Sequence, residues 1–427
     1  MSDNQPDPKP YEWLSSAQGA EAWAQMVRSC GSLPNGCDAS AKLVLKQQFD
    51  FATALAKRKV SDSFRWFWTR LLLEQASDEW TAKETAADFP HRTMVIDGCC
   101  GAGVDAVALG GGLACQTNAI SDAVQRELIP IDRSIVSCFL TRMNGSSHRL
   151  TWDPMELPFE EFTLPKNAWL HIDPDRRAEG GRSVALAGIH PKWDAIADKI
   201  ANASGASIKM APGFQPESNM EWGVCGAPNA RRWISREGSV RQQRLYWRIP
   251  RWGSGVRIVS ASQTGEIWNH EAFPESEAET KGYECIDSDR SSLNLGGFIA
   301  DQDPALRASG CSIALARRLN IRILGNQFGY FHADSVRAHP MLRWFQVLDV
   351  MPMDRKKLKA MSRTMCAKRW ELKSRNIDAD LEKVRGGLLV DPNSQIILWL
   401  LLTRVGDRQI AIVAREVDKV GVEANGN

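Results

Sequence analysis

Between Met94 and Leu109 the chain reads Met-Val-Ile-Asp-Gly-Cys-Cys-Gly-Ala-Gly-Val-Asp-Ala-Val-Ala-Leu, which sets the carboxylate of Asp97 beside a turn holding Gly98, Gly101 and Gly103. Glycine reaches positive φ and has no Cβ, so a ligand can come close to the backbone at such a turn. Free N–H groups at the start of the following helix favour an anionic group. A carboxylate at the strand end does the opposite: it repels a pyrophosphate and welcomes an ammonium or a sulfonium. The dinucleotide fingerprint G-x-G-x-x-G is absent, because no third glycine follows Gly103 at the required spacing. These residues leave two readings open, an ordinary strand-to-helix turn and a cradle for a positively charged small molecule.

The elements needed to position this corner follow from the pattern around it. Met94 to Ile96 is short and continuously apolar, as strands buried in a parallel sheet are, and Val104, Val107 and Ala108 open a helix. The linker after Leu109 is long, and Leu128–Ile131 then reads as a second strand that delivers Asp132. An acid there can accept both hydroxyls of a ribose, or it can simply sit in the N-cap region of the next helix, Ser134 to Asn144. His148–Asp153 reads as a third strand and Ala168–Ile172 as a fourth, stopped by Asp173-Pro174. Because ligands collect at the carboxyl ends of parallel strands, Asp97, Asp132, Asp153 and Asp173 are expected on one edge. Pro191–Ala201 is an amphipathic helix and Ala206–Met210 a fifth strand; its Lys209 either touches substrate or snorkels to the sheet edge. Arg241–Trp247 and Val256–Ser260 complete a seven-stranded, mostly parallel sheet, and Glu271 to Glu284 reads as an exposed loop.

The stretch Asp97–Asp105, in the form D-x-x-C-G-x-G-x-D, resembles motif I of the class I S-adenosylmethionine-dependent methyltransferases. That resemblance implies a Rossmann-like α/β fold, S-adenosylmethionine as cofactor, and a hold on it by Asp97, Gly98, Cys99, Gly101, Gly103 and Asp105. It implies that Asp132 meets the ribose and Asp153 the adenine amino group, with a turn acid before Pro154 as the plain alternative for Asp153. Glu74-Gln-Ala-Ser77 resembles a segment that closes over the cofactor, which makes Gln75 and Ser77 candidates, although Ser77 as a helix N-cap explains the same residues. Asp173-Pro174-Asp-Arg stands where amino-methyltransferases carry D/N-P-P-Y, but without the second proline and the aromatic residue. It looks like the D-P-x-R-R form of bacterial methyltransferases with a THUMP-like carboxyl-terminal domain. On that basis Asp173 and Pro174 face the acceptor, and Arg176 and Arg177 either grip a phosphate or are salt-bridged at a helix start.

The 427 residues are 43% hydrophobic and 24% charged, enough for two or three domains, and the formal net charge of +2 gives no whole-chain pull toward nucleic acid or membrane. Ten cysteines lie singly apart from Cys99-Cys100, without zinc spacing, so no metal is expected. The polar, proline-rich start and the absence of a bilayer-length apolar run point to a reduced, cytoplasmic setting without a membrane partner. Expected boundaries are a disordered tail over 1–10, a helical N-terminal domain over 11–90, the methyltransferase domain over 91–290 and the THUMP-like domain over 291–420. In the last of these, Arg355 to Arg375 carries nine basic residues against Asp354 and Glu371, a helix-like stretch suited to phosphate contact through Lys356, Lys357 and Lys359, or a solvated face. The expected function is methylation of an RNA base. The rivals are a non-catalytic RNA-binding protein that keeps a cofactor pocket, a dehydrogenase with an unusual turn, and a methyltransferase for a small molecule or protein. Oligomeric state and target atom have no signal in the sequence.

Overall fold

The computed structural model describes residues 7–113, 126–178, 181–182, 186–216, 222–278, 285–286, 295–326 and 328–417. The motif follows an inner strand of the larger sheet, the third from one edge. Its strands are β1 (Met94–Gly98), β2 (Glu127–Asp132), β3 (Met155–Glu156), β4 (Trp169–Ile172), β5 (Gly205–Met210), β6 (Ala230–Arg236), β7 (Ser239–Trp247), β8 (Val256–Ser262) and β9 (Asn269–Pro274). Their order is β9-β8-β6-β7-β5-β4-β1-β2-β3. The pairs β1–β2, β1–β4, β2–β3 and β4–β5 are parallel, and β5–β7 is antiparallel. All six residues of β5 are buried, Ser207 and Lys209 included, as in a strand covered on both faces. Ile96, Ile131, Leu170, Ile172 and Ile208 share one core with Ile196 and Ile200 of α8 (Trp193–Asn202), the apolar stripe of that helix.

Seven strands were expected and nine are present. Beyond β3, which takes the place of an expected third strand, the additions are β6, whose three arginines read as polar, and β9, which occupies the start of the expected Glu271 to Glu284 loop and is followed by the short helix Glu275–Ala278; residues 279–284 lie outside the described set. The expected strand His148–Asp153 is not one. His148 caps the preceding helix, Arg149 takes a left-handed φ of 63°, and Leu150 N–H returns to Gly145 O at 2.9 Å, so the chain turns and only Met155–Glu156 joins the sheet.

The N-terminal helices are α1 (Lys9–Ser15), α2 (Ala17–Arg28) and α3 (Ala39–Asp50), followed by α4 (Arg70–Gln75) and α5 (Glu79–Ala86) ahead of the sheet. Ser16, Asp38, Thr69 and Asp78 cap the starts of α2 to α5 by accepting a backbone N–H three residues on. The expected cap Ser77 is therefore displaced by its neighbour, and the helical order already begins at Lys9, inside the expected tail. Tyr11, Leu14, Trp23, Met26 and Leu45 bury against Val136, Leu140 and Met143 of α7 (Ile135–Ser147). One compact unit comprises Met1–Ile234, Arg241–Gly255 and Thr264–Trp268. Two buried arginines tie it together. Arg126 donates to the carbonyls of Ala86, Phe89, Pro90 and Leu109, and Arg232 pairs with Asp88 at 2.9 Å and with Glu84.

The other unit comprises Ser235–Val240, Val256–Gln263 and Asn269–Asn427. Its eight-stranded sheet consists of Cys285–Ile286, Phe298–Gln302, Arg322–Leu324, Phe331–Ala333, Leu342–Pro352, Arg369–Ser374, Ile397–Val405 and Arg408–Glu416. The last two pair antiparallel across Gly406-Asp407. The basic stretch is a helix only over Arg355–Met365, capped by Asp354; Cys366 turns left-handed at φ 45° and Arg369–Ser374 is a strand. Lys356, Lys357, Lys359, Arg363 and Lys368 are exposed, whereas Lys373 and Arg375 both pair with buried Asp301.

Candidate active site

A cavity of about 400 Å³ opens at the carboxyl ends of β1, β2 and β4. Asp97, Asp105, Asp132 and Asp173 all line it, together with Gln75, Ser77, Cys99 and Gly101. Two glycines of the motif serve the turn rather than the cavity wall. A Cβ on Gly98 would stand 2.7 Å from the ring of Phe159, and one on Gly103, at φ +79°, would meet Thr141 at 3.0 Å.

Asp97 is 1% exposed. One oxygen, Oδ1, accepts from His171 Nδ1 at 2.8 Å, while Oδ2 is buried with no hydrogen-bond partner among the described residues. Burial raises the pKa of Asp97 above the usual carboxylate value, against the lowering effect of His171. A buried carboxylate oxygen without a donor is costly unless a cation or N–H group satisfies it, so the corner fits an ammonium. Asp105 behaves differently. Burial pushes it up as well, but His171, Lys209 and Arg244 and the Ser77 hydroxyl outweigh that and hold it below the ordinary value. Ser77 Oγ donates to Asp105 Oδ2 at 2.7 Å and accepts from Lys209 Nζ at 3.0 Å. Asp132 is raised by burial while its carboxylate accepts from Gly101 N at 3.0 Å and Ser134 N at 2.9 Å. At the other end of the cavity, Asp173 Oδ2 accepts from Lys209 Nζ at 2.6 Å, with Pro174, Asp175, Arg176, Glu160 and His190 around it.

Three of the four strand-end acids are brought together. Asp153 is not: its side chain is 85% exposed and pairs with Arg142, because the chain leaves the sheet before reaching it. Lys209 Nζ bonds Asp173 at 2.6 Å and is not among the residues that line the cavity. Arg176 lines the cavity; the side chain of Arg177 lies outside the described residues. Lys356, Lys357 and Lys359 are on the helix of the other unit. Sequence reading missed His171, which bridges Asp97 at 2.8 Å and Asp105 at 3.9 Å, and Arg244, 3.7 Å from Asp105. His171 had a signal: a lone polar residue in the apolar strand Trp-Leu-His-Ile, two positions from Asp173 and so on the same strand face. Arg244 had none beyond its place in an expected strand.

Residues 342–416 match the family model described as THUMP domain-like. The chain is similar to two curated proteins of Mycobacterium tuberculosis, from strains CDC 1551 / Oshkosh and H37Rv. Both are described as uncharacterized S-adenosylmethionine-dependent methyltransferases, and each is 25% identical over 354 residues, 83% of this chain and 88% of theirs. A crystal structure from Porphyromonas gingivalis, described as a candidate methyltransferase, covers 96% of this chain and 98% of its own with a TM-score of 0.68 at 16% identity, a likeness of fold. Fold, site and relatives agree on a class. That class is the S-adenosylmethionine-dependent methyltransferases, which the chain resembles along most of its length, and residues 342–416 are THUMP-like.

Proposed function

We propose that this chain is an S-adenosylmethionine-dependent methyltransferase that acts on a nitrogen of an RNA base, with Asp97, Asp105, Asp132, Gln75, Ser77 and the Cys99–Gly101 backbone holding the cofactor and Asp173-Pro174 facing the acceptor. The bound cofactor supplies an electrophilic methyl group. The observation that carries the reading is the shared cavity: an unpartnered buried carboxylate oxygen at Asp97, suited to an ammonium, and a second carboxylate, Asp173, that is fixed by Lys209 at 2.6 Å. The protein's work is to orient the two reactants and exclude water. Asp173 accepts the N–H of the acceptor and takes its proton as the nitrogen is methylated. Attack by a cysteine is disfavoured, because burial pushes the thiols of Cys99 and Cys100 well above their usual value and keeps them protonated at neutral pH. RNA as the acceptor is supported by the THUMP-like match and by the exposed cations of the Arg355–Met365 helix, which suit a phosphate backbone.

The test is calorimetry with S-adenosylhomocysteine and with NAD, followed by single-turnover labelling of total RNA with the methyl-tritiated cofactor. Binding of the homocysteine product and label in RNA are expected. Cofactor binding with no label in RNA, but label in protein or small-molecule fractions, moves the acceptor to that class. Preferential NAD binding ends the proposal.

A further inference from the structure

Asp97 and His171 are register partners on the adjacent parallel strands β1 and β4, so the ladder itself sets the imidazole against the carboxylate. His171 is 1% exposed and stands in a strand whose other residues, Trp169, Leu170 and Ile172, are apolar. Its Nδ1 donates to Asp97 Oδ1 at 2.8 Å, and its Nε2 lies 3.9 Å from Oδ1 of Asp105, in the first turn of the helix Val104–Leu109. One ring therefore spans the glycine turn, from the acid that enters it to the acid that leaves it. The other oxygen of Asp105 is held by the Ser77 hydroxyl at 2.7 Å.

Core stability does not account for this residue. His171 Nε2 is buried with no hydrogen-bond partner among the described residues, and an unsatisfied buried polar group costs energy that an apolar side chain packed on Phe89 in the same slot would avoid. What an apolar residue cannot do is bond Asp97. With Oδ1 taken by the imidazole, rotation of the carboxylate is restrained and Oδ2 is the oxygen left for a ligand. Burial opposes the charge on Asp97, and His171 acts against that.

We propose that His171 is a positioning residue that gives the site its selectivity for the amino-acid end of the cofactor: it pins one oxygen of Asp97 and presents the other to the cofactor's ammonium. The inference rests on the proposed reading of Asp97 as the acid that receives that ammonium. His171 is not among the residues that line the cavity, and it acts through Asp97.

The experiment is calorimetry of the full-length protein with S-adenosylhomocysteine and with 5'-methylthioadenosine, which keeps the adenosine and the thioether but lacks the amino-acid end. The readout is the ratio of the two affinities. A residue that only supports the cavity lowers both alike and leaves the ratio unchanged. Hydrogen bonds to a charged group are at stake, so in His171→Leu the preference for S-adenosylhomocysteine is expected to fall about tenfold or more. In His171→Asn, whose amide N–H stands near the place of Nδ1–H, the preference should stay within about threefold of the wild type. An unchanged ratio in His171→Leu overturns the proposal, and so does His171→Asn that loses the preference as fully as His171→Leu. A wild type that does not prefer S-adenosylhomocysteine defeats the underlying reading of Asp97 instead. Should His171→Leu fail to fold, His171→Gln carries the same comparison, because its N–H falls near the place of Nε2, away from Asp97; a preference retained there overturns the proposal.

Discussion

Replacing Asp97 with asparagine keeps the size of the side chain and an oxygen to accept from His171, but it removes the charge at the oxygen that has no partner among the described residues. If that oxygen receives the cofactor's ammonium, the substitution turns a charge-assisted hydrogen bond into a neutral one. Hydrogen bonds to charged groups contribute about 1.5–3 kcal/mol, so the affinity for S-adenosylhomocysteine should fall roughly ten- to a hundred-and-fifty-fold. Stability should move the other way. Burial raises the pKa of Asp97 in the folded protein, and an acid with a raised folded-state pKa opposes folding at every pH where it is ionised. Asp97→Asn without ligand should therefore be at least as stable as the wild type at neutral pH, and should gain less from added product. In the wild type, the affinity should weaken as pH falls through the raised Asp97 value, at a higher pH than an ordinary carboxylate would show. Calorimetry gives the affinity and thermal unfolding gives the stability. An unchanged dissociation constant refutes the reasoning, and so does a mutant that is markedly less stable while binding normally, because Asp97 would then be a structural acid only.

Two further outcomes follow from other parts of the molecule. Changing Lys356, Lys357 and Lys359 to glutamine should weaken RNA binding and flatten the slope of log affinity against log salt by about 2 to 3; fluorescence anisotropy at several salt concentrations checks this, and an unchanged slope removes the helix from the RNA surface. Asp88→Asn leaves the fully buried Arg232 with a weakened set of partners, for which a loss of about 3 kcal/mol in urea unfolding is expected. A loss under about 1 kcal/mol would mean that Glu84 suffices.

The motif turn was legible because its chemistry is local. A short apolar strand, an acid and glycines at fixed spacing specify both the bend and the kind of group it can receive, and the same logic placed Asp132 and Asp173 at strand ends. Asp153 was not legible, since whether an acid reaches the sheet edge depends on a left-handed turn at Arg149 that propensity does not announce. The strand Ala230–Arg236 was hidden for a related reason. Its arginines look like surface residues until Asp88 and Glu84, more than 140 positions away in sequence, arrive to neutralise Arg232. The basic run from Arg355 to Arg375 was visible as composition, yet the sequence could not tell the exposed cations of its helix from Lys373 and Arg375, which Asp301 holds.

By itself the sequence determined the glycine bend and the acid beside it, the parallel strands that carry it and the existence of a basic part near the carboxyl end. Those follow from side-chain type and short-range period. Only the tertiary structure decided which charges meet: His171 with Asp97, Lys209 with Asp173, Ser77 with Asp105. Ion pairing in a buried site is a matter of a few ångströms between residues on different strands and helices, and spacing along the chain does not record that distance.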